Sequence, residues 1–254
     1  MQQEKIIGSE IEEFKIPGLR RIGATPEIVF KNGLALLKRH RLSLIGLREL
    51  AYLRMNANGG GDFLSRGAYV RASVLFNYRH FPLFISDSIL LNNRKMLDEA
   101  VSAHQKQKEF IVSGAIFEHF YKLAKSNKNA PPEERTAYLF DEEEQKKLEK
   151  FRQKNNYFVP TNKLGEFGLT RWVYKELAKE YGNMLNNLGI EKMPVWFPEE
   201  EYLQGIEGPF LRQVWVCCLK GHKGTKGESG LSANNRSLHE TSRLIGISKS
   251  DNEK

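Results

Sequence analysis

The sequence predicts a mainly α-helical protein with a minor β component (α+β): a helical body, a short buried strand near residues 213–219 and a flexible C-terminal tail. Two observations carry this prediction. Residues 94–125 contain no proline and place apolar side chains at helical spacing, which favours a long helical region. The clearest strand signal is the run VWVCCL at 214–219, because a continuous apolar run rich in β-formers is typical of a buried strand.

The N-terminal third is predicted to contain several helices. Thr25-Pro26-Glu27 has the composition of a helix start, with an N-cap residue, a proline at the first helical position and an acid near the N-terminus. Ser43 is a second candidate N-cap, and leucines follow it at helical spacing. Three consecutive glycines make residues 58–62 a loop, after which residues 66–78 again have a helix-compatible pattern.

The remaining elements are predicted from helix-capping residues and from glycines and prolines that end helices. Ser113-Gly114 is the candidate interruption of the long helical region, and the Pro131-Pro132 pair ends it. Asp141 begins a short charged helix, and Thr170 begins another that runs to Leu188. From residue 220 onward the chain is rich in Gly, Ser, Asn and Lys, which predicts the flexible tail.

These patterns divide the chain into four parts. Residues 1–128 form a basic, mainly helical lobe, and residues 129–140 form a linker. Residues 141–219 form a second lobe of helices and a strand, and residues 220–254 form the basic tail. The division places most of the positive charge in the first lobe and the tail.

The charge distribution indicates a polyanionic partner. Residues 15–95 contain 14 Lys or Arg and 4 acids, a formal charge of +10, whereas the whole chain carries +8. Aromatic residues lie between the arginines of this segment. Cations that neutralise phosphates, together with rings on which bases stack, are typical of nucleic-acid-binding surfaces. The sequence therefore predicts an intracellular nucleic-acid-binding protein, a non-catalytic subunit of a nucleoprotein complex, with DNA or RNA undecided.

The candidate nucleic-acid-binding residues are the cations and rings of this region together with three lysines of the tail. They are Lys38, Arg39, Arg41, Arg48, Arg54, Arg66, Tyr69, Arg71, Tyr78, Arg79, Lys220, Lys223 and Lys226.

Two alternatives remain open. The first is a metal-dependent nuclease whose acidic ligands are scattered along the chain, and the second is a protein-interaction module with a basic face. No nucleotide-binding or hydrolase motif is present, so an enzyme is not favoured and no catalytic residue or cofactor is predicted. No metal site is predicted either, because Cys217, Cys218, His222 and His239 lack the spacing of zinc ligands.

The cysteine content and hydropathy predict a cytoplasmic location. The two cysteines are adjacent, so a disulfide framework is not expected and a reduced compartment is favoured. No apolar run approaches the roughly 20 residues of a membrane-spanning helix, so no membrane span is predicted.

Overall fold

The computed structural model describes residues 11–14, 21–56, 67–219, 229–234 and 237–248. The α-helices are α1 (Phe30–Arg39), α2 (Leu47–Asn56), α3 (Arg94–Gln105), α4 (Gly114–Ser126), α5 (Glu142–Leu148), α6 (Gly168–Tyr174), α7 (Ala178–Asn187) and α8 (Glu200–Gln204). The strands are β1 (Glu12–Phe14), β2 (Ile22–Ala24), β3 (Ile28–Val29), β4 (Leu42–Leu44), β5 (Ala68–Phe76), β6 (Leu83–Ile85), β7 (Ala137–Leu139), β8 (Arg152–Gln153), β9 (Asn156–Pro160), β10 (Lys192–Trp196), β11 (Phe210–Val216), β12 (Leu231–Ser232), β13 (Thr241–Ser242) and β14 (Ile245–Ser248). Short 3₁₀ turns lie at 89–91, 132–134, 149–151, 161–166 and 175–177.

An eight-stranded sheet organises the described part of the chain. Its strand order is β7-β6-β5-β11-β12-β10-β9-β8. The neighbouring strands are antiparallel except for β10 and β12, which run parallel. The long central pair is β5 and β11, whose register shifts between Gln213 and Trp215. The sheet draws strands from residues 1–128, 129–140 and 141–219 and, through β12, from residues 220–254.

The predicted helix at residues 66–78 is wrong, because residues 68–76 form β5. Alternate side chains of this strand enter two separate cores, with Val70 and Val74 on one face and Tyr69 and Leu75 on the other. A strand buried on both faces lacks the apolar–polar alternation that distinguishes a half-buried strand from a helix. Its sequence, AYVRASVLF, therefore carries no clear period.

Helices cover both faces of the large sheet. The core on one face includes residues of α2, α6 and α7, among them Leu53, Trp172 and Leu185. The core on the other face includes residues of α1, α3 and α4, such as Phe30 and Phe117. The mainly α-helical prediction is therefore wrong: the predicted helices largely exist, but they pack against a sheet much larger than one short strand.

A second, four-stranded sheet joins the two ends of the described chain. Its order is β1-β2-β14-β4, so β14 pairs with β2 on one side and with β4 on the other. Leu244, Ile245 and Ile247 are buried there. The predicted flexible tail is thus wrong for residues 229–234 and 237–248, because their apolar side chains complete the cores. Residues 220–228, 235–236 and 249–254 of that tail lie outside the described residues.

Candidate ligand-binding cleft

The cations predicted to bind nucleic acid lie in several separate places. Lys38 and Arg39 lie in the last turn of α1, and Arg41 follows that helix; all three are exposed. Tyr78 and Arg79 are exposed on the turn after β5. Arg66, Lys220, Lys223 and Lys226 fall outside the described residues, so the structure does not place them.

Other predicted contact residues are engaged with protein groups. Arg48 forms a salt bridge with Glu176, and Arg71 lies 3.7 Å from Glu49 and 3.5 Å from Asp87. The first of these pairs spans 128 residues of sequence. Glu176 therefore offsets one of the charges that the sequence concentrates in residues 15–95, whereas Glu49 and Asp87 belong to that segment and are already counted in its net charge.

Arg54 and Tyr69 are buried and are unavailable to a polyanion in this arrangement. One terminal nitrogen of Arg54 donates to the Tyr181 and Ser229 hydroxyls, each at 3.2 Å. The other donates to the Cys217 carbonyl at 2.9 Å. Arg54 thus fixes Cys217 and Ser229, which lie on either side of residues 220–228.

A more enclosed feature lies where β11 and β13 approach the start of β5. A cleft of about 240 Å³ is present at this position. Its lining residues combine an indole ring, an aliphatic side chain, charges of both signs and two hydroxyls: Glu27, Gly67, Trp215, Thr241, Ser242, Arg243 and Ile245.

Trp215 forms one wall of the cleft, and the sheet fixes its position. Its register partner on β5 is Tyr69, and the two rings meet edge to face with centroids 4.8 Å apart. Tyr69 in turn packs against Phe30 at 5.0 Å. A Cβ at Gly67 would lie 2.4 Å from the indole, so only glycine leaves the ring its observed place.

Residues 241–243 also line the cleft, and the segment that contains them is held at both ends. Leu238 and Leu244 are buried in the core that contains Phe30. The Leu244 N–H donates to the Thr25 hydroxyl at 3.0 Å, and the Thr25 N–H donates to the Leu244 carbonyl at 2.9 Å. Between these anchors, Ser242 pairs with Ile28 of β3. The polar residues of the segment are therefore held beside the indole.

Two cleft-lining residues have a buried polar atom with no hydrogen-bond partner among the described residues: Ser242 through its Oγ and Arg243 through its Nε. The same is true of the Tyr69 hydroxyl, on the residue that packs against Trp215, and of His239 Nδ1 earlier in the segment. Leaving such a group unsatisfied costs about 1–3 kcal/mol. Burial, reinforced by the nearby Glu240 carboxylate, raises the pKa of Tyr69 well above its ordinary value, so its hydroxyl stays protonated and able to donate. Ser242 and Arg243 of the cleft thus hold hydrogen-bonding capacity that the described residues do not use.

A larger groove runs along α3 but is built differently. It has a volume of about 900 Å³ and is open to solvent. Two of its lining residues, Arg94 and Lys95, have side chains that are 95% and 87% exposed. They face Asp98 and Glu99 one helical turn away, each at 4.0 Å. Such a mixed and solvated helix face gives a ligand little desolvated contact.

The sequence did not reveal the residues of the cleft, because they lie in segments whose patterns predicted other features. Trp215 belongs to the strand run that predicted only a buried element. Ser242 and Arg243 belong to the predicted tail. One sequence signal could have shown that this part of the tail is ordered. It is the short apolar run Leu244–Ile247, whose buried side chains anchor the preceding segment.

Two further observations concern metals and membranes. Within the described ranges, no three His, Cys, Asp or Glu side chains come together in a way that could hold a metal ion. None of the helices in the described part of the chain combines the length and apolar composition needed to cross a membrane.

Comparisons with known proteins give one fold-level likeness. No protein-family model matches the chain. No curated protein matches it at a significant level. A solved structure reported for the accommodation of massive sequence variation in Nanoarchaeota by the C-type lectin fold superposes with a TM-score of 0.56 at 13% sequence identity. The match covers 92% of this chain and 100% of that chain.

At 13% identity this likeness shows the fold alone: an α+β arrangement similar to the C-type lectin fold. The predicted nucleic-acid-binding helical protein is therefore wrong, and so are the nuclease and basic-face alternatives that shared its premise. The physical reason is that a charge count along the sequence does not establish a shared surface, and the fold separates, buries or pairs the described cations.

Proposed function

We propose that this chain is a recognition protein that binds a small ligand, or a small group of a larger one, in the Trp215 cleft. The observation that carries the proposal is that Ser242 and Arg243, which line the cleft together with the indole, each hold a buried polar atom with no hydrogen-bond partner among the described residues. Ligand sites combine an apolar or aromatic wall with a few convergent polar groups, and this cleft has both. Its volume lies below the roughly 300–1,000 Å³ typical of sites for drug-sized molecules, which favours a small ligand.

The fold supports the proposal in a second way. The structurally similar protein is described as accommodating massive sequence variation. In this chain Trp215, Ser242 and Arg243 of the cleft are half-buried, whereas Glu27 and Thr241 are exposed. We infer that these two exposed residues set ligand preference and can be replaced without loss of the fold. The cytoplasmic location expected from the adjacent cysteines stays a prediction.

A fragment screen followed by ¹H–¹⁵N NMR tests this function. The protein has three tryptophans, whose indole N–H signals can be assigned by single Trp→Phe replacements. Trp172 is the internal control, because its indole N–H is buried and donates to the Arg135 carbonyl at 2.9 Å. Fragments that bind are expected to shift the Trp215 signal and leave that of Trp172 in place.

The two exposed residues provide a second readout. Glu27→Ala and Thr241→Ala should change which fragments bind while the melting temperature stays within about 2 °C, since surface substitutions usually change stability by less than 0.5 kcal/mol. A screen in which bound fragments shift neither Trp215 nor residues 241–243 would show that the cleft is not the binding site.

A further inference from the structure

We draw no further inference here: the strongest candidate, the partly exposed apolar face of α4 formed by Ile116, Phe120 and Leu123, carries none, because nothing in the structure shows what covers it.

Discussion

The guanidinium of Arg212 donates two hydrogen bonds to the Glu109 carboxylate, Nη2 to Oε1 at 2.7 Å and Nε to Oε2 at 3.2 Å. Both side chains are almost fully buried, at 2% and 1% exposure. Nη1 of Arg212 also donates to the Asn234 side chain at 2.7 Å, and the Tyr202 hydroxyl donates to Glu109. This buried ion pair and its hydrogen bonds thus connect three parts of the chain: β11 through Arg212, the segment around Glu109, and the residues that follow β12 through Asn234.

Breaking this pair should be strongly destabilising. Glu109→Gln leaves a buried guanidinium without its counter-charge, and removal of one partner of such a pair typically costs about 3–5 kcal/mol. Urea unfolding followed by circular dichroism measures the loss. The matched control is Glu99→Gln, which removes an exposed partner 4.0 Å from Lys95 and should cost less than about 0.5 kcal/mol. A loss of similar size in the two variants would contradict the prediction.

Local signals in the sequence were sufficient to predict several helices, but they did not predict the large sheet. Ser113 caps α4 and Asp141 caps α5, each through a side chain that accepts a backbone N–H three residues later. Such contacts are encoded within one turn of chain, so they can be recognised without tertiary information. The left-handed Gly189 after α7 belongs to the same class of signal.

The sheet depends on pairings that no local pattern specifies. β14 pairs with β2, which brings Ile247 beside Ile22 across more than 200 residues of sequence. The cleft depends on the same long-range pairing, because β13 and β3 place Ser242 beside Ile28. The positive charge of residues 15–95 could not be interpreted from the sequence for the same reason. The partner of Arg48 is Glu176, and only the fold brings the two side chains together.

Gly182 of α7 should not tolerate a larger side chain. A Cβ at this position would lie 2.1 Å from the Thr161 carbonyl oxygen, which belongs to the rigid backbone beneath the helix. Gly182→Ala therefore forces the helix away from the 161–166 turn, and such overpacking typically costs about 1–3 kcal/mol.

The control for this prediction is Gly114→Ala. Gly114 is also a helical glycine, but a Cβ there would meet nothing within 4 Å. Its replacement should leave stability unchanged or raise it by up to about 1 kcal/mol, because alanine restricts the unfolded chain and favours the helix. The two variants should differ by at least 1 kcal/mol in urea unfolding; equal stabilities would refute the steric argument.

The Arg48–Glu176 pair should make part of the stability depend on pH. The hydrogen bond from Arg48 holds the pKa of Glu176 below its ordinary value of 4.5. A carboxyl group whose folded pKa is lowered contributes stability that is present above its unfolded pKa and is lost as pH falls through the folded pKa. The stability difference between wild type and Arg48→Gln should thus be constant above about pH 5 and shrink below it.

The size of that difference should be small, because the Arg48 and Glu176 side chains are 44% and 60% exposed. We expect less than about 1 kcal/mol at pH 7 and a further decrease at high salt. Urea unfolding at pH 7, 5, 4 and 3 provides the measurement, with the exposed residue Arg41 replaced by glutamine as the control. A difference that grows as the pH falls has the wrong sign and would reject the assignment.

Removing the hydroxyl group from two buried tyrosines should have different effects on the free energy of unfolding. The Tyr181 hydroxyl lies 2.7 Å from the Ser229 hydroxyl and accepts a hydrogen bond from Arg54 at 3.2 Å. Tyr181→Phe therefore leaves buried groups unsatisfied and should cost about 1–3 kcal/mol. The Tyr69 hydroxyl is also buried but has no partner among the described residues. Its removal leaves nothing unsatisfied, so Tyr69→Phe should match or exceed the stability of the wild type. If Tyr69→Phe costs as much as Tyr181→Phe in urea unfolding, the Tyr69 hydroxyl has a hydrogen-bond partner and the prediction is wrong.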